Sequence, residues 1–492
     1  MADQASPGTV QPTAGDPAAT GTDLQAGAIG LVGATMQAIT HIAPAIAALF
    51  FTQFVVSLAG ITAPLAYLVG VIVVLMLGST LVQLSKHMPS AGGYYTYVSK
   101  ALHARAGFLT SWMYVLYAPL AGGPIYGYFG FILAGELKAN YQINVPWLWW
   151  ACILAGAPLI AFLQHRGIKI SARAMVILGG FEMIIVFALG LWGFFRPGPG
   201  GFTFSVFNIS HRLTVEGFAL AVVFSIQGLT GWEGAAPLAE ETRDPKRNVP
   251  RATMLSIILL GVFLVITYWG QIIGWGVSNL TALPKSAELP GLVLAHRFWG
   301  GGWVILLLAF LNTTIAVCLA TANVGTRMWY KMAKNGSFPQ ALAKTHPRYR
   351  TPTNAILLQM CLSLAAGIGV GAWVGANVSF LLVDGLVLVL AVLFVYVMAN
   401  AAVFWYYFRQ RRAEFNVVLH VLFPLISTGA LVYATVYSFI PFPAAPYSNA
   451  PLIDGLWLAV GIIVLIVMRI RGREQWLLTA GAALGENADP VP

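Results

Sequence analysis

Charge is what this sequence has least of. Only 9% of its 492 residues are Asp, Glu, Lys or Arg, against roughly a quarter in an average soluble domain. Seventeen acids and 27 bases cannot coat the polar-skinned domains that a soluble chain of this length needs, so soluble enzymes and secreted scaffolds are excluded. Cysteine is scarcer still. Cys152, Cys318 and Cys361 each sit in an apolar run without a Cys-x-x-Cys or Cys/His cluster, which leaves no disulfide framework and no metal-spaced set. Residues 1–24 contain three Asp and no Lys or Arg. They lack the positive start of a signal peptide and read as a disordered cytoplasmic tail, with residues 473–492 as a second one.

What is abundant is apolar sequence, 58% of the chain. Twelve helices of about 20 residues would fit this supply. Apolar runs bounded by Gly, Pro or charge lie near 28–57, 61–85, 106–136, 146–164, 173–195, 215–240, 252–276, 302–334, 354–372, 377–408, 417–440 and 452–470. The net charge of +10 does not collect on one face, as nucleic-acid binding would require, but falls in short loops. With both termini in the cytoplasm, 22 of the 27 basic residues lie on the inner side. That asymmetry fits twelve spans in the cytoplasmic membrane and makes the lipid bilayer the surrounding partner. The expected fold is an all-α integral membrane protein.

Two of these runs are interrupted by polar residues, Pro or Gly at comparable depth. The first carries Thr40-His41-Ile42-Ala43-Pro44-Ala45, and the sixth carries Gln227-Gly228-Leu229-Thr230-Gly231. Each interruption alone reads first as a simple kink. Together they open corresponding halves, 25–195 and 215–408, and broken helices at matching places in two halves point to a transporter binding site. The remaining 409–472 would add two further helices.

Three motifs then carry a family resemblance. Pro89-Ser90-Ala91-Gly92-Gly93-Tyr94-Tyr95-Thr96-Tyr97 follows the second run. Gly231-Trp232-Glu233 continues through Glu240-Glu241-Thr242-Arg243-Asp244-Pro245 to Pro250, and a third stretch runs from Arg327-Met328-Trp329-Tyr330 to Pro352. In this order over residues 25–440 they resemble amino acid–polyamine–organocation (APC) superfamily permeases. The resemblance implies a five-plus-five inverted repeat with helices 1 and 6 broken, two added helices, and alternating-access transport of a small amino acid or amine.

An amino acid enters as a zwitterion, and dehydrating both charges at mid-membrane is costly unless oriented dipoles receive them. The amides of Ala43, Ala45 and Ile46, at the start of the second half of span 1, suit a carboxylate. Carbonyls of Gln227, Gly228 and Thr230 suit an ammonium group, and Gly231 permits the turn and a close approach. The family usually reads Gly-x-Gly where this chain has Ala43-Pro44-Ala45, so one amide is missing. Gln227 stands where many members carry a closing aromatic. Thr40, His41, Gly122 and Thr321 complete the candidate wall. For Gly122, close helix packing is an equal reading, and for Thr321 a hydroxyl bonded back to its own helix is another.

Acids inside the spans are costly and tend to be functional. Glu182 falls where some proton-coupled relatives carry a lysine facing span 1, which makes it the proton-coupling candidate, with a structural brace as the other reading. The resemblance therefore favours a proton over sodium as coupling ion, with no cofactor or metal. Glu233 reads as a brace of the unwound region, and Asp384 as structural or as part of a vestibule. Glu240, Glu241, Arg243, Lys246 and Arg247, with Asp244 and Arg251, read as an inner gate or as a solvated loop. The sequence thus points to a proton-coupled importer of an amino acid or amine rather than an enzyme. An uncoupled exchanger and a non-transporting sensor are the alternatives.

Overall fold

The computed structural model describes residues 24–471 apart from 121, 287, 438 and 441. The two expected tails therefore lie outside the described residues, except for Leu24. Among the described residues the chain is helical, with one isolated bridge between Ile29 and Thr242. The α-helices in chain order are α1 (Leu31–Ile42), α2 (Pro44–Leu49), α3 (Phe51–Ala59), α4 (Ala63–Ser85), α5 (Tyr94–Ala101), α6 (Ala104–Leu120), α7 (Gly122–Tyr141), α8 (Leu148–His165) and α9 (Ile168–Phe195). They continue as α10 (Val215–Gln227), α11 (Pro245–Trp275), α12 (Pro290–Trp299), α13 (Trp303–Lys334), α14 (Thr353–Val374), α15 (Ala376–Leu382), α16 (Leu388–Arg409), α17 (Phe423–Tyr437) and α18 (Ala450–Ile470). Ten stretches of helix among the described residues are long and apolar enough to cross a membrane. Two of them, Pro44–Ser85 and Pro290–Lys334, are 42 and 45 residues long.

Both expected interruptions are present, and each has a local cause. Pro44 has no N–H to give the carbonyl of Thr40, four residues earlier. The Ala43 amide takes that carbonyl instead, at 3.2 Å. Ala43 turns into the left-handed region (φ 61°), and α2 restarts with Pro44 at its first position. Proline is well tolerated there because that position needs no intrahelical donor. On the other side of the site, α10 ends at Gln227 and the chain resumes as a 3₁₀ segment, Trp232–Glu241. Gly231 lies between them at φ 114°, and a Cβ there would lie 2.6 Å from the His41 carbonyl oxygen. Only glycine combines that backbone conformation with that approach.

The halves of the broken helices are tied at both ends. Ile29 donates to the Glu241 carbonyl (3.0 Å) and accepts from the Arg243 amide (2.8 Å). Gly60, beyond α3, packs on Leu213 ahead of α10. The two broken elements thus share one membrane face at Ile29 and Thr242 and the opposite face at Gly60 and Leu213. Small residues bring their neighbours close: Gly190 and Gly193 of α9 meet Gly270 of α11 with no room for a Cβ, the packing that membrane helices favour. α11 also holds the second half of the first break, where Tyr268 donates to the Ala47 carbonyl (2.9 Å) and Gln271 to that of Ala48 (2.9 Å).

α17 and α18 sit at the periphery. Trp112 of α6 and Trp457 of α18 stack with ring centroids 4.6 Å apart, and each indole donates to the other's carbonyl, at 2.8 and 2.7 Å. Beyond α4, His87 pairs with Glu414 (3.1 Å), which Arg411 also reaches (2.9 Å). Partial burial holds the His87 imidazole below its ordinary pKa. The same burial would raise the Glu414 carboxyl, but the bond from Arg411 and the charge of His87 outweigh it and hold Glu414 low.

Candidate binding site

A cavity of about 310 Å³ opens at the two helix breaks. Its wall takes His41, Ala43 and Ile46 from the first break, Gln227 and Thr230 from the second, Tyr117 from α6 and Thr321 from α13. The rest is largely apolar, with Phe50, Phe54, Phe224 and Phe380 among the rings. From the breaks it runs along Phe54 and Phe224 to Thr435, Phe439 and Tyr447, at the end of α17 and the loop beyond it. It therefore extends toward the face where Gly60 meets Leu213.

His41 holds the breaks together. Its Nδ1 lies 3.0 Å from the Gly231 carbonyl oxygen, and a carbonyl only accepts, so Nδ1 carries the proton. Nε2 then accepts from the Tyr117 hydroxyl at 3.4 Å. Gln227 reaches across the cavity, its Nε2 donating to the Gly385 carbonyl at 2.6 Å. Gly385 belongs to a π-helical turn, Val383–Val387, between α15 and α16. Asp384 of the same turn lines the cavity, and its Oδ2 is buried without a hydrogen-bond partner. Thr321 lines the wall, and its hydroxyl donates back to the Val317 carbonyl at 2.7 Å.

Five expected wall residues face elsewhere. The Thr40 hydroxyl bonds back to Met36 (2.7 Å) and its methyl faces Gly179 of α9. Ala45 is fully buried and directs its amide toward Glu182 rather than into the cavity. Gly122 and Gly123 pack against Ser363 and Gly367 of α14, so close helix contact is what these glycines provide. Gly228 is helical and packs on the Tyr67 hydroxyl, while Gly231 turns its carbonyl to His41.

Glu182 is 0% exposed, with the Thr313 hydroxyl and the Ala45 amide as its polar neighbours, and neither carboxylate oxygen completes a well-formed hydrogen bond. Glu233 is equally buried but satisfied. It accepts from Tyr114 of α6 (3.0 Å) and Tyr396 of α16 (2.7 Å), bracing the 3₁₀ segment between two helices.

The charged cluster after the second break pairs with α13. Arg327, 0% exposed, donates to Glu241 at 2.7 Å, and Lys331 donates to Glu240 at 2.7 Å. Arg327 also reaches Asn323 (3.0 Å), whose amide lies 3.4 Å from Gln37 of α1. Arg243 instead ties down the Gly27 carbonyl (3.0 Å), and Lys246 and Arg247 stand in the first turn of α11. The paired layer lies at the Ile29–Thr242 face, whereas the cavity lining runs toward the other.

A profile described as amino acid permease matches residues 29–468. This chain belongs to the amino acid permease family. Within the APC superfamily its curated relatives include the low-affinity putrescine importer PlaP of Escherichia coli, 27% identical over 68% of this chain and 73% of that protein. The serine/threonine exchanger SteT of Bacillus subtilis is 24% identical over 61% of this chain and 66% of its own length. The L-methionine/branched-chain amino acid exporter YjeH of E. coli is 27% identical over 49% and 54%. Tyr117 and the phenylalanine rings are wall residues the sequence reading did not name, and Asp384, read there as structural or as part of a vestibule, lines the cavity too. Its acid was visible in the sequence, but no motif surrounds it, and the π turn that aims it has no periodic signature.

Proposed function

We propose that this permease carries an amino acid or related amine across the cytoplasmic membrane by alternating access, importing it together with a proton. The supporting observation is the cavity between two helix breaks, whose lining runs toward one face while the Arg327–Glu241 and Lys331–Glu240 pairs lie toward the other, where we read them as a closed layer. A continuous pore would lack that closed layer. The fold reading that accompanies it is twelve spans in a five-plus-five inverted repeat, with both termini inside. The 42-residue stretch Pro44–Ser85 favours a count above ten, since at 1.5 Å per residue it is about twice the length one crossing needs. The interruptions of α1–α2 and α10, at matching places in two halves, favour the repeat. The relatives named above import, exchange or export small molecules that bear an amino group, which fits such a cargo.

Glu182 links a proton to the site. Its polar neighbours are the Thr313 hydroxyl and the Ala45 amide at the start of α2; ionised, it can only accept from them, and protonated it gains an O–H that must find an acceptor of its own. A proton on Glu182 thereby alters the helix end that faces the substrate. The test is uptake of a labelled amino acid and amine panel into proteoliposomes, with and without an inward proton gradient, for wild type and Glu182→Gln. Concentrative uptake that needs the gradient and is lost in the variant is expected. Uptake that needs only internal substrate, indifferent to gradient and variant, would identify an uncoupled exchanger and leave Glu182 a brace.

A further inference from the structure

The cavity is poorly equipped for a carboxylate. At the start of α2 the Pro44 position has no N–H, the Ala43 amide is committed to Thr40, and the Ala45 amide is directed to Glu182. Of the expected carboxylate donors that leaves Ile46, which lines the wall. Glu182 itself places an acid behind the helix end where a substrate carboxylate would otherwise be received. Among the described lining residues there is no Lys or Arg. A carboxylate brought here would lose its water and find no cationic side chain and few of the α2 amides expected to receive it, a costly exchange.

The same wall offers what a cation needs. Asp384 lines the cavity, with Oδ2 buried and unpartnered. The π turn presents it, and Gln227 fixes that turn from the opposite side through the Gly385 carbonyl. The same cavity is lined by aromatic rings, Phe50 and Phe380 with centroids 5.2 Å apart and Phe54 stacked on Phe224 at 5.8 Å. Such faces attract an ammonium group and cover an apolar body.

We infer that the cavity selects a protonated amine with an apolar body and no carboxylate, and that Asp384 pairs with the ammonium group. The inference rests on the reading of this cavity as the transport site. It narrows that reading from amino acids and amines to amines alone.

The experiment compares matched pairs that differ by one carboxylate: phenethylamine against phenylalanine, tyramine against tyrosine, and cadaverine against lysine. Proteoliposome uptake is measured for wild type, Asp384→Asn and Asp384→Glu, with ligand-dependent thermal shift of the purified protein alongside. The amine of a pair is expected to enter roughly tenfold faster or more than its amino acid. Asp384→Asn should abolish that preference and Asp384→Glu should retain part of it. Equal or faster uptake of the amino acids, unchanged in Asp384→Asn, overturns the inference and leaves the transport site standing. If no member of any pair is taken up or shifts the unfolding temperature, the transport-site reading falls as well. Should Asp384→Asn fail to yield a monodisperse protein, competition by each pair in wild type decides, amine inhibition without amino acid inhibition being the expected result.

Discussion

Gly231 is the residue on which the second break depends. Its φ of 114° and the 2.6 Å gap to the His41 carbonyl make it irreplaceable by two independent criteria. Gly231→Ala is expected to lower stability by about 1–3 kcal/mol through backbone strain alone, with the clash in addition. Gly30→Ala, where nothing lies within 4 Å and φ is −101°, should stay within about 0.5 kcal/mol. Thermal unfolding in detergent separates the two. Gly231, Pro44 and Glu233 were legible because each meets a requirement local in sequence: a turn, a missing donor, a motif acid. Thr40, Gly122 and Gly228 were not, since which side of a helix faces the cavity depends on neighbours far along the chain. In an all-apolar surround, hydrophobic periodicity does not mark the inner face. Asp384 was legible as an acid within a span, structural or part of a vestibule, but not as a wall residue of this site, because it sits in a π turn that breaks the α-helical phase of the run.

At the scale of elements, the 3₁₀ segment and α13 meet through two ion pairs of unlike environment. Arg327 and Glu241 are 0% and 1% exposed, whereas Lys331 and Glu240 are 14% and 27% exposed. Removing one partner of the buried pair leaves an uncompensated charge, at a cost of about 3–5 kcal/mol. Arg327→Ala should therefore yield little folded protein, measured as the monodisperse fraction after extraction. Lys331→Ala should fold, with a stability loss below about 1 kcal/mol, and should open the closed face more often if the layer is a gate. Full expression of Arg327→Ala at wild-type stability would remove the pair from the structural account. The acids of this cluster were readable from the motif, but their partners were not. Glu241 and Arg327 stand 86 residues apart, and the nearby Arg243 binds a backbone carbonyl instead.

Across the whole molecule, scarcity of charge and abundance of apolar sequence sufficed to place the chain in a bilayer, and the span boundaries agree with the helices to within a few residues in most cases. The short helices α5 and α12 fell between the apolar runs, since neither is long enough to register as a span. The arrangement as a whole is a cavity between two broken helices with a layer of ion pairs at the Ile29–Thr242 face, which the proposed function reads as closed. Cysteine protection tests that arrangement most directly. Thr321→Cys, introduced after replacing Cys152, Cys318 and Cys361, places a thiol on the cavity wall. An impermeant maleimide should label it from the face of the loop after α17 and not from the Ile29–Thr242 face, and transported substrate should protect it. Labelling that ignores substrate, or that proceeds equally from both faces, would contradict a central site with one closed side.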